Sequence, residues 1–512
     1  MQRIAAIDAG SNALRMTIAN VNQAGQVEPI QSLRLPVRLG PDVFATGTLQ
    51  EDTMRHAAEA FQQFARAARD LEVGQLRAIA TSAMREAANR DILLDRISGS
   101  SGIEVEVISA AEEARLAHLA VSSVLNLKGK RALLIDIGGG SVEVTLSEAR
   151  NIVSAESYKM GAVRLLQELD GGREPAASIF ADAKPLTPLV RQYAESARLR
   201  IRHQIGGGRV NLCAVTGGTA EDLGRLAQKR FKNADDRAIS LGDLEQLIEL
   251  LERMSVKQRM RKLDLRPDRA DVILPAAVVL QLIAREARVR RVMIPHVGLK
   301  DGVLIEMAAR LKKGAQPPRR GQVLASAIRI GRKYAFDARH AALTARLATQ
   351  LFDQCRELHN LGDADRLVLE AAALLHDIGH FIEARGHDQH GYYILKSTPL
   401  IGLNALQQDV VAHLVRYHRG GLPAAKDAAF RQLPQKERVT VTKLIVLLRL
   451  ADAMDASHMG QARSVELVEK KRKWQLSLHG RGDLALERWE LAKRLSLFEE
   501  IFGVELEVRE NR

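Results

Sequence analysis

The chain has 512 residues, enough for about three or four domains at roughly 150 residues each, which excludes a peptide or a small module. Its 46% hydrophobic and 27% charged residues, with no apolar run near the roughly 18 residues of a membrane span, exclude a membrane-embedded chain. Lys plus Arg outnumber Asp plus Glu by 75 to 62, a net charge of +13 that calls for an anionic partner, while aromatics at 4% weigh against nucleic acid and favour a polyanion without bases.

From Met1 to Asp8 no apolar stretch of secretory length forms, so the expected compartment is the cytoplasm. Residues 4–7 and 16–21 read as short β runs. Residues 51–71 place Met54, Ala57, Ala58, Phe61, Phe64, Ala65, Ala68 and Leu71 at helical spacing. Strands at 76–81 and 103–108 and a helix over 110–125 complete an α/β domain, 1–126. A second α/β pass, 127–312, has strands Leu133–Ile137, Val142–Leu146 and Val210–Val215, followed by helices. Prolines, glycines and charge over 311–321 mark a boundary. Beyond it the pattern is helical, 313–460, and ten of the fourteen histidines lie between His340 and His479. The tail, 461–512, reads as strand Trp474–Leu478, an amphipathic helix over 483–502, and strand Val504–Val508, a small α/β cap. Cys213 and Cys355 lack any CxxC partner and read as two buried thiols.

Three strands run into Gly-containing turns. Ile7-Asp8-Ala9-Gly10-Ser11-Asn12 and Ile135-Asp136-Ile137-Gly138-Gly139-Gly140-Ser141 each place an Asp before the glycines, one in each half, which suggests an internal duplication. Thr216-Gly217-Gly218-Thr219-Ala220-Glu221 follows a strand in the same way. Such turns expose backbone N–H groups that can converge on one anion, and the adjacent Asp can hold Mg²⁺ directly or through its waters. One turn alone merely connects strands; three in one α/β array point to a phosphate cradle.

These turns resemble the phosphate-binding loops of the actin, sugar-kinase and heat-shock ATPase superfamily. With AAIDAGSNALRM (5–16), ATSAMREAAN (80–89), VISAAEEARL (107–116), LLIDIGGGSVEV (133–144), MGAVRL (160–165) and AVTGGTAEDL (214–223), the chain resembles the exopolyphosphatase and guanosine pentaphosphate phosphohydrolase family over essentially its whole length. The resemblance implies two actin-like (ribonuclease H-like) α/β domains, an all-α HD-like domain and a small α/β C-terminal cap. It implies Mg²⁺-dependent, processive removal of terminal phosphate from inorganic polyphosphate by a homodimer, with guanosine penta- or tetraphosphate as the alternative substrate. By the same resemblance Glu113 is the general base, Asp136 the metal-associated Asp, and Glu143 an acidic position that holds metal or water; Asp8 is a weaker metal candidate. Gly10, Ser11, Asn12, Gly138, Gly139, Gly140 and Ser141 supply the anion cradle, Arg85 neutralises phosphate, and Gly217, Gly218 and Thr219 match the third loop. Near 298–303 the chain reads Gly-Leu-Lys-Asp-Gly-Val where the family commonly has Leu-Arg-Glu-Gly-Val, and Lys300 cannot make the bidentate contact of an Arg.

In the helical half, Leu374-Leu375-His376-Asp377-Ile378-Gly379-His380, with His340 upstream and Asp452 downstream, resembles the HD metal-dependent phosphohydrolase superfamily. His340, His376, Asp377, His390, His418 and Asp452 are the candidates for a second divalent-metal site, with His387 and His413 as near-miss alternatives. The competing reading is a helical scaffold that grips polyphosphate and whose histidines pack or hydrogen-bond. Basic residues cluster at Arg310, Lys312, Lys313, Arg319, Arg320, Arg329, Arg332 and Lys333, at Lys257, Arg259, Arg261 and Lys262, and at Arg285, Arg288, Arg290 and Arg291. They read as solvated helix faces, or as a groove for a long polyanion. Two readings from other classes stand beside the hydrolase: a non-catalytic binder of polyphosphate or alarmone, and an ATP-dependent kinase or ATPase.

Overall fold

The computed structural model describes residues 2–169, 186–231, 236–311, 318–424, 427–470 and 473–509. The chain forms two compact units, Met1–Pro318 and Arg319–Arg512. Among the described residues no helix is long and apolar enough to cross a membrane.

The first unit is built on two sheets. Strands β1 (Gln2–Ala9), β2 (Leu14–Val21), β3 (Val27–Leu35), β4 (Gln75–Ala80) and β5 (Val105–Val107) lie in the order β3-β2-β1-β4-β5. Strands β6 (Arg131–Ile137), β7 (Val142–Glu148), β8 (Asn151–Tyr158), β9 (Leu212–Thr216), β10 (Ala238–Ser240) and β11 (Arg291–Met293) lie in the order β10-β11-β9-β6-β7-β8. Without β10, the second sheet repeats the first: two antiparallel hairpin pairings on one side of the central strand, two parallel pairings on the other. Both central strands, β1 and β6, end in an Asp and a Gly-containing turn.

β1 is apolar on both faces because both are covered. Ala5, Ile7 and Ala9 share a core with Phe61 and Phe64 of helix Glu51–Asp70 and Leu93 and Ile97 of helix Arg90–Ser101. Ile4 and Ala6 pack instead with Leu116 of helix Ala110–Val124 and with Val303, Leu304 and Met307 of helix Leu299–Leu311. That last helix belongs by sequence to the second α/β segment, yet it returns to seal the first sheet. A Cβ on Gly302 would lie 2.1 Å from the Leu116 carbonyl oxygen.

Helices Ala338–Gln354, Asp363–Leu375, His387–Ser397, Ala405–Arg416 and Gln435–Ala453 make the second unit. Its C-terminal sheet, β12 (Ala462–Lys470), β13 (Lys473–Gly480) and β14 (Leu506–Arg509), shares their core through Val465, Leu467, Trp474 and Leu476. Gln350 and Gln354 bond the backbone of Val465 and Leu467 at 2.7–3.1 Å, satisfying peptide groups of β12 that no neighbouring strand meets.

The α/β, α/β, helical architecture expected from the sequence is therefore found, with local corrections. The helix expected over 483–502 is two helices, Ala485–Ala492 and Leu495–Phe502. β3 and β12 are strands that the sequence pattern does not predict; β3 is an exposed edge strand that contains Pro29 and shows little alternation. Cys213 and Cys355 are buried free thiols, and burial pushes both up to about 12. Of the basic clusters, Arg259 is buried and donates to the Leu251 and Ala270 carbonyls, whereas Arg285 is exposed and pairs with Glu245 at the surface. Lys312, Lys313 and the side chain of Arg319 lie outside the described residues.

Candidate functional site

The turn after β1, the turn after β6 and the turn after β9 meet within the first unit around a cleft of about 120 Å³. Asp8, Gly10, Ser11, Asn12, Asp136, Gly138, Gly139, Gly217, Gly218, Thr219 and Glu113 all line it. Arg85, Gly140, Ser141 and Glu143 are not among its lining residues and act from behind. Helix Gly218–Arg230 starts at the third turn, so the Gly218 and Thr219 amides are among the four N–H groups that a helix leaves unpaired at its positive end. Gly217 must be glycine: its φ is +106°, and a Cβ would lie 2.7 Å from the Ile137 oxygen.

The two hairpins place different partners at the same register. Across β1–β2, Asp8 stands opposite Arg15; across β6–β7, Asp136 stands opposite Glu143. The first acid thus faces a cation and the second faces another acid. Glu113, near the start of its helix, brings a third carboxylate to Asp136 and Glu143, and their oxygens all lie within 4.8 Å of one another. Glu113 is only 5% exposed.

Crowding and burial set the protonation. Burial, partly offset by Arg85 and reinforced by Asp136 and Asp8, lifts Glu113 to about 7. Burial with Glu113 and Asp136 as neighbours lifts Glu143 well above the usual carboxylate range. Burial raises Asp136 as well, against the hydrogen bond from Thr216 Oγ1 at 2.7 Å. Desolvation raises Asp8 to about 6, with Arg15 opposing. Glu143 Oε1 accepts from Ser141 at 2.6 Å and Ser157 at 2.9 Å, while its Oε2 is buried without a partner. Three oxygen donors converging with one lone acceptor are the donor chemistry of a hard divalent cation.

Residues whose roles the sequence does not reveal hold this arrangement in place. Arg85 Nη1 donates to Glu113 Oε2 at 2.7 Å and to the Ile108 carbonyl, so the guanidinium expected at substrate phosphate also orients the Glu113 carboxylate. The MGAVRL segment buttresses the second turn. Arg164 donates to the Gly140 carbonyl at 2.7 Å and to Glu86 at 2.6 Å, tying that turn to the 80–89 motif. A Cβ on Gly161 would lie 2.3 Å from the Gly140 carbonyl carbon. The adjacent Glu112 plays a different part, gripping the fully buried Arg115 together with Glu306 at 2.7–2.8 Å. Arg15, Arg269 and Lys300 supply cationic lining to the cleft, Lys300 also pairing with Asp301.

In the second unit His340, His376, Asp377, His418 and Asp452 gather, and His387 joins them. His390, chosen from the sequence, is half-buried and outside the cluster; His387, three residues earlier, is the buried one. His413 packs instead among Tyr392, Tyr417 and Phe430. Burial opposes charging of His340, but Asp452 and Asp455 overcome it and lift the imidazole to about 9.

Residues 17–311 match the Ppx/GppA phosphatase family, and residues 324–494 match Ppx/GppA phosphatase, domain III. The chain is 27% identical over 459 residues to the guanosine-5'-triphosphate,3'-diphosphate pyrophosphatase of Photobacterium profundum, covering 87% of this chain and 85% of that relative. It is 25% identical over 456 residues to the protein of the same name from Vibrio vulnificus, covering 87% and 86%. Among solved structures it is similar in fold to an exopolyphosphatase from Cytophaga hutchinsonii, with 24% identity and a TM-score of 0.54 over 61% of this chain and 99% of that one.

Proposed function

The chain belongs to the Ppx/GppA phosphatase family, and from that premise we propose that it hydrolyses the terminal phosphoanhydride of inorganic polyphosphate in the first-unit cleft, with Mg²⁺. The observation that carries the reading is Glu113: a carboxylate lifted to about 7 at the rim of three anion-binding turns, where a general base is most effective near neutral pH. Phosphoryl transfer needs an attacking water in line and stabilisation of charge on the phosphoryl oxygens, with little covalent help. Gly10, Ser11, Gly139 and Gly218 line the cleft with amides that can receive those oxygens, while the Gly138 N–H is taken by the Ser141 carbonyl. Arg15, Arg269 and Lys300 add positive charge around them.

Water attacks the terminal phosphorus, the bond to the bridging oxygen breaks, and the products are orthophosphate and a chain one phosphate shorter. Glu113 takes the proton from water, and Arg85 holds that carboxylate in position. Asp136 and Glu143, beside Glu113, have the oxygen donors to hold Mg²⁺, which would neutralise charge on the transferred group.

Guanosine pentaphosphate is the second reading, favoured by the two relatives that carry that activity in their names. Polyphosphate is preferred because no Phe, Tyr or Trp is among the described residues that line the cleft, leaving a base no aromatic platform. Phosphate release from long-chain polyphosphate and from guanosine pentaphosphate, measured in parallel for wild type and Glu113→Gln, tests both. Release from polyphosphate that survives Glu113→Gln would reject the site; release from the nucleotide alone would reject the substrate.

A further inference from the structure

His296 is the only histidine among the described residues that line the first-unit cleft, and the hydrolysis proposed above does not use it. It stands on a turn pinned from both sides. Before it, the Ile294 amide donates to the Arg237 carbonyl at 2.6 Å. After it, the Gly298 amide donates to Asp301 Oδ2 at 2.8 Å, and the Asp301 and Gly302 amides donate to the Gly298 carbonyl at 3.0 and 3.2 Å. These bonds fix the entry to helix Leu299–Leu311. Between them His296 has φ +54°, the left-handed region that a side chain other than Gly or Asn enters at a cost and that recurs where a residue is held for a ligand. The imidazole is 37% exposed, and its Nε2 lies 3.4 Å from Asp236 Oδ2. A carboxylate oxygen only accepts, so Nε2 presents its proton to Asp236 and Nδ1 is the nitrogen left for the cleft.

Lys300, four residues on, lines the same cleft. It is one of the charges that hold the Asp8 carboxyl down against the effect of burial, which places it near the end of β1. Its Nζ also lies 3.2 Å from Asp301 Oδ1. An ammonium is a point charge that cannot make a two-pronged contact with a phosphate, so a second donor has to come from another side chain. The cleft guanidiniums are gathered elsewhere: a Cβ on Gly218 would meet both Arg269 Nη2 and Arg15 Nη2, at the third turn.

We infer that His296 is a substrate-binding residue, which together with Lys300 holds one phosphate of the substrate. Two side chains on one pinned segment thus do what a single guanidinium fork would do. With both ring nitrogens protonated, the imidazole lies between two anions, donating from Nε2 to Asp236 and from Nδ1 to the phosphate. The contact rests on the reading of the cleft as a phosphate site, and it holds for polyphosphate and for guanosine pentaphosphate alike.

The test is a double-mutant cycle on the full-length chain. It is read as KM for polyphosphate and, in a Glu113→Gln background, as Kd for tripolyphosphate by calorimetry. Asn accepts a positive φ, so His296→Asn removes the imidazole without redrawing the turn. It is expected to raise KM and Kd about tenfold, the size of one charge-assisted hydrogen bond, with kcat little changed. Adding Lys300→Arg to His296→Asn recovers most of that loss, because the fork supplies the missing donor. Adding Lys300→Met instead deepens the loss to roughly a hundredfold. His203→Asn, outside the cleft lining, changes neither constant. Circular dichroism checks that each variant is folded; should His296→Asn not fold, His296→Gly, which adopts φ +54° freely, takes its place. Unchanged KM and Kd in His296→Asn, a fall in kcat alone, or no recovery with Lys300→Arg overturns the contact while leaving the hydrolase reading intact. A wild-type chain that releases no phosphate from polyphosphate rejects the substrate, and the same cycle on guanosine pentaphosphate then decides the contact. A wild-type chain that binds neither compound rejects the phosphate reading of the cleft and the contact with it.

Discussion

Asp136 and Glu143 are cross-strand partners in the β6–β7 hairpin, at the register that sets Asp8 opposite Arg15 in β1–β2. One hairpin sets an acid against a cation; the other sets acid against acid, with Glu113 beside them. Like charges facing each other across a hairpin destabilise it, so the second hairpin is the one that gains from a divalent cation. Glu143→Gln, which keeps the acceptor for Ser141 and Ser157, is expected to raise the Mg²⁺ concentration for half-maximal phosphate release by more than roughly tenfold, about 1.4 kcal/mol. Asp8→Asn leaves Arg15 unopposed and shifts that midpoint less. Equal midpoints for Glu143→Gln and wild type in a Mg²⁺ titration would remove the carboxylate trio from metal binding.

The Arg85–Glu113 bond sets a pH dependence. Glu113 acts as base only when ionised, so activity falls as pH drops through about 7, to which burial raises it. Arg85 opposes that rise. Arg85→Gln removes the opposing charge, lifts the Glu113 pKa further and moves the acidic limb of the kcat/KM profile to higher pH. Glu113→Gln is expected to lose roughly 10²–10⁴-fold in rate at every pH. An acidic limb that stays in place in Arg85→Gln would show that the limb belongs to another group.

Gly161 is outside the cleft lining but touches the turn that lines it. A Cβ there would lie 2.4 Å from both the Gly139 oxygen and the Gly140 nitrogen, backbone atoms that cannot swing away. Gly161→Ala is expected to displace the second turn, lowering kcat strongly and stability by about 1–3 kcal/mol. A denaturant melt with a parallel rate measurement checks both. Wild-type kcat in Gly161→Ala would mean that the turn can move without consequence.

The phosphate turns were legible because a Gly/Asp-rich strand end is a local code, and the order of motifs carried the family. Contacts between distant residues were not. Arg85 finds Glu113 28 residues away, and Arg115 finds Glu306 191 residues away, distances at which no periodicity reports. His387 and His390 sit three residues apart at the start of one helix; the sequence marks both as ligand candidates, and only the packing of that helix selects His387. β3 was missed for a related reason, because an edge strand with five consecutive exposed residues carries no period-two signal.

The Arg115 network predicts a stability effect distinct from catalysis. Arg115 is fully buried, with Glu112 and Glu306 at 3% and 1% exposure, so its ion pairs are shielded from salt. Removing the cation alone takes from both buried carboxylates their shared partner and leaves Arg77 to serve the two, and Arg115→Met is expected to cost up to about 3–5 kcal/mol. Replacing the carboxylates together with the cation, as Glu112→Gln/Arg115→Met/Glu306→Gln, leaves no buried charge from this group unpaired and is expected to recover a large part of that loss. Arg77, which also pairs with Glu306, sets the limit on recovery. The check is urea unfolding at low and high NaCl, with phosphate release per folded molecule measured alongside. If the single and triple variants unfold at the same midpoint, the penalty does not come from unpaired charge, and the packing of the Arg115 side chain accounts for it instead.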